Sequence, residues 1–424
     1  MMNLKTVKRV ALGIAACMMT ITAVAQVTPY GWRGPERNGI YPETGLLKQW
    51  PAAGPEKLWE TLDAGKGYSS PVIVGDKLYI TGMNEDQTQE TFSAYTLDGK
   101  QIYTVAYGKP WDQTYPETRT TPAIDNGKAY VISGSGEIVC LALADGKQLW
   151  RKDGGKIYSR KTGNWGTSEC PLVFDNKVIF TPAGEVTTMV ALDKNTGEEI
   201  WRTKAWGDTG AYVSPMLITY KGKRQIIGST AVHIFGVNPD TGDVEWEFAD
   251  WGTARNATGW ASIAPNTPLF KDGKLFFCHG YDINSYMLQL ADDMKSVKLL
   301  WKNETLDTHH GGYVELNGVI YGSNWLNNGQ GTWVGVDWNT GESLFEHNWE
   351  NKGKGSIIAA DGMLYAYNER TGAVALVRPA RDKFEVISQF RITKGSGPHW
   401  AHPVIVNGVL YVRHGEALMA YKVK

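Results

Sequence analysis

Five of the chain's eight histidines, His279, His309, His310, His399 and His402, fall in short segments where glycine alternates with large polar or aromatic residues. Most belong to a set reading GKGYSS, PETRTT, GNWGTSE, GDTGAYVS, RNATGWAS, DTHHGG, NKGKGS and GSGPHWAH. Glycine lets backbone approach a ligand closely. Trp165, Trp260 and Trp400 offer indole faces, and a second set of loops adds Asn324 from GSNWLNNGQG and Arg370 from YNERTG. Indoles beside amides and guanidinium groups suit a hydroxyl-rich ligand, whose C–H faces stack on aromatics while its hydroxyls need directed partners. Trp165, Trp260, His309, Trp400, His402, Asn324 and Arg370 are therefore the expected ligand contacts. His310, His399, Arg119 and Glu169 are the groups expected to hold or move a proton, because such groups lose solvation in a narrowing channel and shift in pKa. No metal is expected. Zinc needs three or four donors about 2.0 to 2.3 Å from one point, and His309 and His310 would face opposite ways on an extended segment. The plain alternative is that these polar groups bond one another and channel water.

Segments so far apart in sequence need a repeating frame to bring them together, and the chain contains one. A phrase recurs: an apolar strand, a tight turn with Asp or Thr before Gly, then an aromatic four residues later. It reads AYTLDGKQIY, LALADGKQLW, VALDKNTGEEIW, GVNPDTGDVEW and GVDWNTGESLF, with degenerate copies ending at Trp301 and Val386 and a half-copy ending at Trp59. The eight anchors, Trp59, Tyr103, Trp150, Trp201, Trp246, Trp301, Phe345 and Val386, stand 41 to 55 residues apart. Each unit reads as four short antiparallel strands, the grammar of a propeller blade. The C-terminus supplies three strands without a fourth, and EKLWETL near the N-terminus supplies the missing one. The expected fold is all-β: an eight-bladed β-propeller of four-stranded antiparallel blades, closed by residues 56 to 62 pairing with 418 to 423. Trp59, Trp150, Trp201, Trp246 and Trp301 then wedge between blades and are set apart from any site.

The units ALDKNTGEEIW and GVNPDTGDVEW resemble the pyrroloquinoline quinone (PQQ)-type propeller repeat, roughly A-x-D-x-x-T-G-x-x-x-W. The resemblance covers nearly all of residues 56 to 424. It implies the architecture of a family that includes redox enzymes, the propeller lipoprotein of the outer-membrane barrel-assembly machinery, and exported alcohol-dehydrogenase-like propellers. The quinoprotein alcohol dehydrogenases carry an adjacent Cys-Cys pair, a calcium site and often a haem domain. Here no two cysteines are adjacent and no C-x-x-C-H motif exists. No cofactor is expected, and PQQ with calcium is the less favoured reading.

With 43 Lys+Arg against 44 Asp+Glu the net charge is -1, which disfavours nucleic acid as a partner. Residues 1 to 25, with Lys5, Lys8 and Arg9 ahead of an apolar run ending in Ala23-Val24-Ala25, read as a signal peptide. Lipid anchoring at Cys17 is the less favoured cut. No other stretch approaches a membrane span. Residues 26 to 55 read as an irregular lead-in draped over the ring, with Trp32 and Trp50 as anchors, and 56 to 424 as the propeller. Cys140, Cys170 and Cys278 are too widely spaced to suggest a disulfide framework. The expected protein is a periplasmic or secreted monomer that binds a polyhydroxylated small molecule, a glycan or an envelope protein through its axial funnel. The alternative is an enzyme on alcohol or sugar substrates, an oxidoreductase of quinoprotein type or a lyase or hydrolase using His and Arg.

Overall fold

The computed structural model describes residues 31–249 and 263–424. The expected signal segment, Cys17 and Trp260 lie outside the described residues. Eight antiparallel sheets surround a common axis. Blades one to seven span 72–108, 123–153, 172–202, 216–248, 269–303, 313–347 and 355–391, and blade eight combines 404–422 with Glu56–Thr61. The closure agrees with expectation: Glu56 pairs with Lys422, Trp59 with Ala420 and Thr61 with Leu418. The only helix among the described residues is the single turn Gly154–Ile157, capped by Asp153.

Burial follows position within a blade. Inner strands such as Val72–Val74 and Leu172–Phe174 are short and apolar, as chain packed on both faces must be. Outer strands alternate. In Gln101–Gly108 and Val297–Asn303, every second side chain packs inward and the rest meet water. The bulge before each anchor aromatic, as between Gln148 and Trp150, turns the ring towards the next blade.

There it meets the repeated glycine. The indole of Trp150 lies over Gly197 and that of Trp201 over Gly242, where a Cβ would sit 2.9 and 2.7 Å from ring carbons. Each indole also donates to a carbonyl of that next turn, Trp150 to Lys194 and Trp201 to Pro239, both at 3.1 Å. The two halves of the repeated phrase thus belong to one interblade joint. Blade five has Asp292-Asp293-Met294 where the turn glycine is missing, and Trp246 donates instead to Gln225 of its own blade.

Residues 31–55 do more than drape. Ile40–Tyr41 adds a parallel strand to blade seven, pairing with Ala359 and Ala360. Just before it, Arg37 donates to the carbonyls of Cys170 and Pro215, at 3.0 and 2.9 Å. Arg33 donates to those of Tyr313 and Ile357, at 2.6 and 3.2 Å, and to His402 Nδ1 at 2.9 Å. These acceptors come from inner segments of blades three, four, six, seven and eight. Only a segment on the axis reaches them all. Both arginines are buried, and their donors satisfy carbonyls that would otherwise face an empty channel. Trp50 packs against Phe390 and Tyr365.

Candidate functional site

In six blades a proline immediately precedes the inner strand: Pro71, Pro122, Pro171, Pro215, Pro268 and Pro403. The residue before a proline is held extended, so the chain runs straight into the strand from a fixed point. Three residues ahead of each proline stand Tyr68, Arg119, Ser168, Tyr212, Pro265 and Trp400. Tyr313 and Ile357 take the proline's place in blades six and seven, which makes His310 and Lys354 the matching residues. One residue per blade therefore faces the axis at a common height. Seven of these eight line a cavity of about 250 Å³ above the lead-in, and Lys354 is buried at its edge. Trp32 of the lead-in also lines it, its ring 4.6 Å from that of His402.

The walls are aromatic. Trp400 sits between Tyr68 and Tyr115, with ring centroids 5.0 Å away on each side, and its other edge meets His310 at 5.1 Å. Trp165 and Tyr212, 5.9 Å apart, and Tyr281 continue the wall.

The polar groups concentrate at blades six and seven. The Lys354 ammonium pairs with Glu369 and donates to His309 Nδ1 at 3.2 Å and to the Asn328 carbonyl at 3.1 Å. An ammonium only donates, so Nδ1 of His309 accepts and its Nε2 carries the proton. Nε2 then donates to the Tyr281 hydroxyl, leaving Tyr281 its own proton to offer towards the cavity. His310 Nε2 lies 3.4 Å from Glu369. Burial, helped by Lys354, pushes the His310 imidazole down to about 3, so it is neutral at physiological pH. Burial raises Glu369, against the pull of Lys354.

The expectation that His309 and His310 diverge is corrected. The backbone bends at this point instead of running extended, and the two rings come within 4.2 Å. His309, His310 and Glu369 place ligand atoms within 4.8 Å of one another, so among the described residues they are the set able to approach a metal. The Lys354 ammonium already bridges two of the three.

Arg119, Trp165, His309, His310, Trp400 and His402 are brought together at the cavity. Glu169 is not at its lining: it is buried, accepts from the Thr181 amide and hydroxyl at 3.1 Å, and is pushed up to about 7 by burial. His399 stacks on His414 at 3.6 Å and bonds the Tyr367 hydroxyl at 2.6 Å. Asn324 accepts from the Thr332 amide across its own loop, and Arg370 donates to the carbonyls of Glu350 and Asn351. Tyr68, Tyr115, Tyr212 and the inward turn of Trp32 were not anticipated. The signal for two of them was the count of three residues ahead of Pro71 and Pro215.

Fold and site together define an eight-bladed propeller with an aromatic funnel on its axis. The chain belongs to the family described as outer membrane protein assembly factor BamB, whose profile matches residues 56–380. The BamB protein of Alkalilimnicola ehrlichii is 23% identical over 235 residues, 54% of this chain and about half the length of that relative, 52%. Solved structures of like architecture include BamB from Moraxella catarrhalis, with a TM-score of 0.61 and 16% identity over 87% of this chain and 98% of that one. The quinohemoprotein alcohol dehydrogenase of Comamonas testosteroni has a TM-score of 0.67 and 13% identity, covering 94% and 80%. A europium-containing methanol dehydrogenase has a TM-score of 0.66 and 12% identity, covering 91% and 90%. At these identities the likeness to solved structures concerns the fold alone.

Proposed function

We propose that this is an exported, periplasmic or secreted propeller whose axial funnel binds a polyhydroxylated small molecule or glycan. The carrying observation is the ring that presents Tyr68, Tyr212 and Trp400 together with Arg119, Ser168 and His310 to one concave space. Indoles and phenols stack on sugar C–H faces, and the interspersed donors and acceptors meet hydroxyls. The test is a thermal-shift screen of the mature protein against sugars. Trp400→Ala and His310→Ala are expected to abolish ligand-induced stabilisation while leaving the free protein's melting temperature within a few degrees, since both flank a cavity. Unfolding of both variants would make these residues structural.

A second reading, enzymatic, draws on the neutral His310 imidazole beside Glu369, which would orient a bound hydroxyl by hydrogen bonding, with Arg119 holding developing charge. His399 and Glu169, away from the lining, have no part in it. PQQ with calcium suits the lining poorly: among the described residues it offers one guanidinium for a polycarboxylate quinone, and no carboxylate for calcium. A protein partner in the envelope, as the family's description suggests, would dock on the same face, where Tyr115 and Leu326 are exposed; loss of sugar binding on adding such a partner would reveal it.

A further inference from the structure

The reading of the funnel as a polyol site leaves open which polyol, and Arg119 bears on the choice. Its guanidinium lies 5.9 Å over the Tyr68 ring and donates to the carbonyls of Glu117 and Tyr115, so it stands among the rings that flank Trp400. Among the described residues no carboxylate lies within ion-pair distance of it. A partly desolvated cation with only neutral acceptors is costly unless something supplies a counter-charge.

The surroundings supply one only without direct contact: the charge of Glu117, and behind it that of Glu90, offsets part of the burial cost of Arg119, and neither makes an ion pair with it. Arg33 and Arg37 below the cavity are likewise held by carbonyls. Lys354 has a single acid, Glu369. Burial pushes Glu169 and Asp307 up to about 7 and Glu90 up to about 8, which thins the negative charge around the axis near neutral pH. Fixed cations in a low-dielectric cleft, with few ionised acids, focus a positive potential on its mouth.

We infer that the funnel selects a sugar acid: a polyhydroxylated ring bearing a carboxylate, with the carboxylate on the Arg119 guanidinium and a ring face on Trp400. Guanidinium and carboxylate match as paired forks, which also fixes the ring's orientation against the indole. This inference rests on the polyol reading and is separable from it.

The experiment is isothermal titration of D-glucuronate, D-galacturonate, D-glucose, D-galactose and glucose 6-phosphate into the mature protein and Arg119→Gln. At least one uronate is expected to bind ten times or more tightly than its neutral counterpart, with the advantage shrinking as salt rises. Arg119→Gln is expected to remove that tenfold preference, so that the uronate and its neutral counterpart bind the variant alike. Equal affinity for uronates and neutral sugars overturns the inference and leaves the polyol reading standing. Binding of none overturns both. A uronate preference that survives Arg119→Gln overturns the assignment to Arg119, and tighter binding of the sugar phosphate overturns the carboxylate. Should Arg119→Gln not fold, Arg119→Lys keeps the charge and loses the fork. A several-fold fall in the uronate's advantage over its neutral counterpart then supports the inference, and an unchanged advantage overturns it.

Discussion

Glu90 shows what the blade interior does to an acid. Its carboxyl is buried, accepts from the Gly134 amide at 3.1 Å and meets the Tyr107 hydroxyl at 2.6 Å, and burial pushes it up to about 8. In the unfolded chain the same group ionises from roughly pH 4.3. The folded state therefore holds a proton that the unfolded state has lost. The group's contribution is complete below the unfolded value and is lost as pH rises towards 8, at up to about 1.4 kcal/mol per pH unit. Glu90→Gln cannot ionise. It is expected to match the parent near pH 4 and to exceed it near pH 8, measured as urea midpoints at both values; parallel pH profiles for the two proteins would refute this. At this scale the sequence was least readable. Glu169 and His399 carry the right chemistry for a site, yet Thr181 and His414 engage them away from the cavity lining. Tyr68 in GKGYSS and Tyr212 in GDTGAYVS carry no local signal of a site, because an isolated Tyr looks like packing until its height above the inner strand is counted.

The interblade joint is the element on which the ring depends. Gly242 has a φ of +81°, and a Cβ there would lie 2.7 Å from Trp201, so Gly242→Ala meets both a strained backbone and a ring held by its bond to Pro239. The expected loss is about 2 kcal/mol or more, read from chemical denaturation. Gly222, where an added Cβ meets nothing within 4 Å but φ is also positive, isolates the backbone share: Gly222→Ala should cost about 1 kcal/mol. A Gly242→Ala loss no larger than the Gly222→Ala loss would show that Trp201 yields. Period and anchors were legible in sequence because both depend on this joint. The bend at His309 and His310 was not, since glycine after them permits either course and the neighbouring loops decide.

At the scale of the whole molecule, the ring and its closure were readable from eight anchors and one missing strand, while the lead-in's position was not: nothing in GWRGPERNG says which carbonyls its arginines will find. The quinoprotein likeness concerns the fold of the ring, and among the described residues the cavity lining holds no carboxylate for calcium. The protein supplied with PQQ and calcium is accordingly expected not to reduce an artificial dye with simple alcohols; robust turnover abolished by chelation would overturn that expectation. The arginines of the lead-in carry a further consequence, for how the molecule is made. The segment leaves the ribosome before every blade it will touch, and the strand that follows it waits for a partner more than three hundred residues downstream. Neither can be satisfied until synthesis is nearly complete. Early blades must stand as an open arc with raw edges, and the final step joins chain ends and fills the axis at once. Such a pathway is dominated by distant contacts and is slow. For that interval the chain is exposed to mispairing with its neighbours, a hazard that ends only when the ring shuts.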